Sequence, residues 1–101
     1  MADSKSYLII SSTPKPDNQE QLHSYLSQAM PLAMAAGGKP IGRYVTTKQL
    51  VGEGGPTLVA VVEFPDEKSI TDMMASAEFT ALADLRNAVF ENLDMVICAE
   101  M

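Results

Sequence analysis

Thr57-Leu58-Val59-Ala60-Val61-Val62-Glu63-Phe64-Pro65-Asp66 is the stretch on which the fold turns. Its first eight residues are dominated by β-favouring side chains and read as a strand. Pro65 cannot donate to a sheet ladder and closes the run. Asp66 then stands where a helix N-cap is expected. Because side chains alternate across a strand, Leu58, Ala60, Val62 and Phe64 share one face, and Val59 and Val61 share the other with Glu63. Both faces are apolar, so this strand is expected to be covered on both sides.

Working outward, Gly52, Gly54, Gly55 and Pro56 mark a turn before the strand. Residues 41–47 ahead of that turn read as a weaker strand, and the two together make a hairpin. Upstream, Leu22, Tyr25, Leu26, Ala29, Met30 and Ala33 recur at helical spacing. That helix is expected to start at Asp17, with Glu20 completing a capping box, and to stop at Gly37-Gly38. Pro31, which lacks an N–H, is expected to kink or interrupt it. Residues 5–13 form the first strand, ended by Pro14 and Pro16. Downstream, a short helix runs from Asp66 through Met74, a second helical segment from Ser76 to about residue 91, and a last strand over 94–100. The order is β-α-β-β-α-β, the split βαβ pattern of a ferredoxin-like α+β domain with an antiparallel sheet. Residues 1–101 make one domain, with no room for a second core.

Two further strands repeat the two-sided pattern: Tyr7 and Ile9 oppose Leu8 and Ile10, and Met95, Ile97 and Ala99 oppose Val96 and Cys98. Helices in this topology cover one face of the sheet only. A second copy of the chain, in two-fold symmetry, is the expected cover for the other, so the chain is expected to work as a homodimer.

Charge and composition narrow the function. Thirteen acids against seven bases leave a net charge of −6 with no basic cluster, which disfavours nucleic acid and anionic membrane as partners. No apolar run is long enough to span a membrane, and a single cysteine allows no intrachain disulfide, so a cytoplasmic setting is expected. Cys98, in an apolar strand, reads as a small buried hydrophobe. With His23 and Cys98 each alone of their kind and no carboxylate cluster beside them, no metal site and no cofactor are expected.

The chain resembles the domain of unknown function 1330 family, within the dimeric α/β-barrel superfamily, over essentially its whole length. The residues that carry the likeness are Val61-Val62-Glu63-Phe64-Pro65-Asp66, then Ser76-Ala77-Glu78-Phe79 followed by Leu82 and Leu85-Arg86, with Gly37-Gly38 and Leu50-Val51-Gly52-Glu53 between. Ala77 stands where the family usually has proline, and Lys39-Pro40 where it has an arginine and an aromatic. The resemblance implies a homodimer whose two sheets form a barrel with helices outside. It implies no agreed reaction, since relatives include cofactor-free oxygenases, isomerases and haem-binding proteins.

Five residues are candidates for chemistry. Arg86 falls inside the apolar stripe of the last helical segment, one turn from Leu82, Ala83, Val89 and Phe90, with no carboxylate beside it. Its guanidinium cannot lose its proton, so it needs an acceptor from elsewhere: Glu63, or a ligand carboxylate or carbonyl. Glu63 and His23 are candidate general bases. Tyr25 and Tyr44 are candidate pocket hydroxyls, against a plainer role as core aromatics. Met30, Met73, Met74 and Met95 are read as core filling. Two functions remain open: a metal-free enzyme acting on a small organic molecule in a pocket between sheet and helices, or a non-catalytic homodimer that binds a small ligand or serves as an accessory protein.

Overall fold

The computed structural model describes residues 5–101. Strand β1 (Ser6–Pro14) leads into helix α1 (Gln19–Ala35), and the hairpin β2 (Lys39–Val45) and β3 (Leu58–Phe64) follows. Three short helices come next, α2 (Glu67–Ala75), α3 (Ala77–Thr80) and α4 (Ala83–Val89), and β4 (Phe90–Ala99) closes the chain. The strands form one antiparallel sheet in the order β2-β3-β1-β4. This is the ferredoxin-like arrangement the element order predicts.

The register sorts the sheet into two faces. Leu8 stands opposite Val62 and Ile97, Ile10 opposite Ala60 and Met95, and Ser6 opposite Phe64. Leu8, Val62 and Phe64 are buried, and they join Tyr25, Ile70, Met73, Phe79, Leu82 and Val89 in the core beneath the helices. The other face carries Tyr7, Ile9, Val59, Val61, Glu63, Val96 and Cys98, and no helix among the described residues covers it. There Val96 is 51% exposed, and Ile9, Val59 and Val61 are only half-buried. The molecule is 17 Å through its thinnest axis, as two layers require.

Two glycines close α1 for steric reasons. Gly37 has φ +96°, the left-handed conformation that ends many helices. A Cβ on Gly38 would lie 2.6 Å from the Ala33 carbonyl oxygen and 2.9 Å from the Phe64 ring, so only hydrogen lets the chain pass beneath that ring.

Several local expectations are corrected. The N-cap of α1 is Asn18, not Asp17, and no side chain caps the helix. The Asn18 amide instead donates to the Ala88 carbonyl at 2.7 Å, tying α1 to the end of α4. Pro31 lies inside α1 without ending it. It is exposed, so the carbonyl left without a partner one turn back can be met by water. The segment from Ser76 is two helices, with Leu82 N–H bonding Phe79 O between them. β4 begins at Phe90, four residues earlier than its pattern suggests, because β1 pairs with it as far as Pro14 opposite Phe90. Cys98 and Met74 are exposed in the single chain, not buried. The Asp66 cap is as expected: its carboxylate accepts from Ser69 N–H and Oγ at 2.8 Å each, and these bonds hold its pKa below the usual carboxylate value.

Candidate functional site

The apolar stripe of α1 faces the sheet but does not fill the space above it. Tyr25 and Ala33 are buried, and Leu22, Leu26, Ala29 and Met30 are half-buried along the same side. α1 packs on α3 and α4, so its contacts along one flank are with helices. Small side chains stand on both sides of the remaining gap, Ala29 and Ala33 on the helix and Ala60 on β3. The result is a cavity of about 330 Å³. That falls in the size range of small-molecule sites. Met73, Phe79, Phe90, Leu93 and Met95 complete its apolar wall.

Few polar side chains reach this wall. Ser12 and Tyr25 line it, and Arg43 stands on the helix side of β2, opposite Ala60 and exposed to solvent. No Asp, Glu or His is among the lining residues.

Behind the wall residues Tyr25 and Phe79 stands Arg86, which does not itself line the cavity. Tyr25 is 4% exposed, and its ring meets that of Phe90 edge-on at 5.6 Å between centroids. Arg86, on α4, lays its guanidinium 5.5 Å above the ring of Phe79, another wall residue. Tyr25 Oη and Arg86 Nη1 are both buried, and neither meets a third hydrogen-bonding group among the described residues. Burial raises the Tyr25 pKa, and the Arg86 side chain opposes that rise, first by a hydrogen bond to the hydroxyl and then by its charge. The phenol therefore keeps its proton at neutral pH.

The other candidate residues lie apart from this pair. Glu63 faces the helix-free side of the sheet and pairs with Lys5 at 3.3 Å, so it is not the acceptor for Arg86. The register shows why: Glu63 alternates with Val62 and Phe64, whose side chains are in the core. His23 is exposed on α1 and is not a wall residue. Tyr44 borders the cavity along β2, but it stands opposite Val59 with its ring over Gly42, which places its hydroxyl on the helix-free face. Of the five candidates, the structure brings Tyr25 and Arg86 together and separates the other three. Sequence reasoning missed Ser12 and Arg43. Both stand at alternate positions in strands whose inward face is apolar, and that alternation was their only signal. Among the described residues no group of three His, Cys, Asp or Glu is placed to hold a metal ion, and no helix is long and apolar enough to cross a membrane.

Comparison with known proteins agrees with this architecture. A protein of unknown function from Rhodopseudomonas palustris, RPA0582, superposes with a TM-score of 0.83 at 16% identity, over 98% of this chain and 84% of that one. A dabb family protein with a ferredoxin-like fold from Mesorhizobium loti gives a TM-score of 0.73 at 13% identity, over 97% and 98% of the two chains. PA3566 from Pseudomonas aeruginosa gives 0.71 at 14% identity, over 100% and 98%. At such identities the likeness is one of fold. No curated protein matches the sequence. Residues 5–101 match the family described as Domain of unknown function (DUF1330), and the chain therefore belongs to that family.

Proposed function

We propose that this protein is a homodimer, joined through the helix-free faces of its sheets, that binds a small apolar organic molecule in the cavity between α1 and the sheet. The observation that carries the reading is the cavity itself: about 330 Å³ of apolar space between α1 and the sheet. An apolar cavity of roughly 150 Å³ is enough to hold benzene, so this one suits a ligand of roughly a dozen heavy atoms. Binding is favoured over turnover because the wall has no carboxylate or imidazole to act as a general acid or base. The candidate bases Glu63 and His23 stand outside it.

A cavity-filling substitution tests the reading. Ala29 lines the cavity and is half-buried, so Ala29→Phe puts a ring into the space with little to displace. Titration calorimetry with 1-octanol should give saturable binding to the native protein. The variant should bind at least roughly tenfold more weakly while its melting temperature holds or rises, since filling a cavity recovers packing. Absence of octanol binding to the native protein would count against the reading, as would equal binding by the variant.

A further inference from the structure

The open side of the cavity narrows the class of ligand, and this step rests on the binding reading above. Helices α3 and α4 pack along one flank of α1, while β2 is an edge strand of the sheet. The wall residues on β2 mark where the cavity meets water: Tyr44 is 56% and Val45 62% exposed, whereas Phe79 and Phe90 elsewhere in the wall are buried. Arg43 stands on this rim, exposed and on the helix side of the sheet opposite Ala60. Among the described residues it is the one charged side chain that lines the cavity. The ion pairs among those residues are Lys5 with Glu63 and Lys68 with Asp72, so no carboxylate of the protein holds Arg43. A charged head group is costly to bury, so an ionic ligand must keep its head in water. The rim allows that, and the apolar interior takes the rest of the molecule. A negative head there meets a guanidinium that cannot lose its proton, and a positive head is repelled by it. We infer that the cavity takes an amphipathic anion, its hydrocarbon among Leu22, Leu26 and Ala29 and its hydrated head at Arg43.

Two other charges could set the preference, and both are separable from Arg43. Arg86 lies behind the wall with its Nη1 buried, out of a ligand's reach. The net charge of −6 acts from all around and disfavours an anion, so a preference for one must come from a group at the site.

The test compares octanoate, 1-octanol and octylammonium, which carry tails of like length and differ in head-group charge, by titration calorimetry at neutral pH. Octanoate should bind the native protein about fivefold or more tighter than octylammonium, since an exposed charge pair is worth up to about that factor and here attraction is set against repulsion. At about 1 M salt, where charges are felt over only about 3 Å, the two should approach parity. Arg43→Glu should reverse the order. Arg43→Gln should bring the two within about twofold, and it carries the test if the charge reversal disturbs the fold by circular dichroism. Lys68→Glu changes the net charge by as much as Arg43→Glu, at an exposed residue of α2 that does not line the cavity, and should leave the order as it is. Saturable 1-octanol binding with no preference for octanoate over octylammonium would overturn the inference and leave the cavity reading standing. A preference that survives Arg43→Glu and Arg43→Gln, that is lost in Lys68→Glu, or that is undiminished at about 1 M salt would also overturn it. Failure of all three probes to bind would remove the cavity reading and this inference together.

Discussion

The native protein is expected to sediment at twice its chain mass, and Val61→Asp at 10.9 kDa. Val61 stands opposite Ile9 on β1 and Gly42 on β2, in the middle of the helix-free face. Ile9 is itself opposite Val96 on β4, so an apolar band crosses the sheet where no helix lies. Contiguous apolar surface of this kind marks an interaction site. With two-fold symmetry every interface substitution enters twice. An unpaired charge buried in each copy costs about 3 kcal/mol or more. Two copies together weaken association by more than about 10⁴-fold, enough to dissociate a micromolar dimer. Because Val61 is half-buried and faces away from the core, the released monomer should keep its far-UV circular dichroism. Sedimentation velocity at micromolar concentration checks both halves. Native protein sedimenting as a monomer, or Val61→Asp still sedimenting as a dimer, would remove the case for the interface.

Phe64→Ala is expected to produce the largest loss of stability. Phe64 is 1% exposed at the end of β3, with its ring over Gly38 and its strand neighbour Val62 in the cavity wall. Phe to Ala changes in a core cost about 3–5 kcal/mol, through lost transfer energy and the void left behind. Domains of this size hold about 5–15 kcal/mol in total. At about 4–8 °C per kcal/mol, the melting temperature should fall by roughly 15–30 °C. The comparison has to be made at one protein concentration, because dimerisation adds to apparent stability. A fall of only a few degrees would mean that the ring is not packed as described.

Much of this architecture was legible in the sequence because alternation and helical spacing report directly on which residues must leave water. The strand at 57–64, the stripe from Leu22 to Ala33 and the stop at Gly37-Gly38 all read correctly for that reason. The errors arose where a distant contact overruled a local pattern. Asp17 and Asn18 are equally good cap formers, and the choice fell to Asn18, whose amide is used to reach Ala88. Phe90 and Leu93 continue the helical spacing of Phe79 and Leu82 by coincidence, yet they belong to a strand paired with β1. Glu63 could not be assigned a side, because both faces of its strand are apolar and only the placement of the helices distinguishes them. Of the candidate site, Arg86 was legible as a cation inside an apolar stripe and Tyr25 as an inward hydroxyl. That they meet depends on how α1 packs against α4. A pocket between sheet and helices was expected, but its size and walls were not legible, since a void is the volume that Ala29, Ala33 and Ala60 fail to fill between two separate elements.

The methionines give the most direct test of the central claim, that a small apolar molecule enters the space between α1 and the sheet. Met30, Met73 and Met95 line that space, whereas Met34 is 59% and Met74 37% exposed and neither is a wall residue. With ¹³C-methyl methionine, titration with 1-octanol should shift the methyl resonances of Met30, Met73 and Met95 in one saturable process. Those of Met34 and Met74 should stay in place. Shifts confined to Met34 and Met74, or no saturable shift at any methionine, would contradict it.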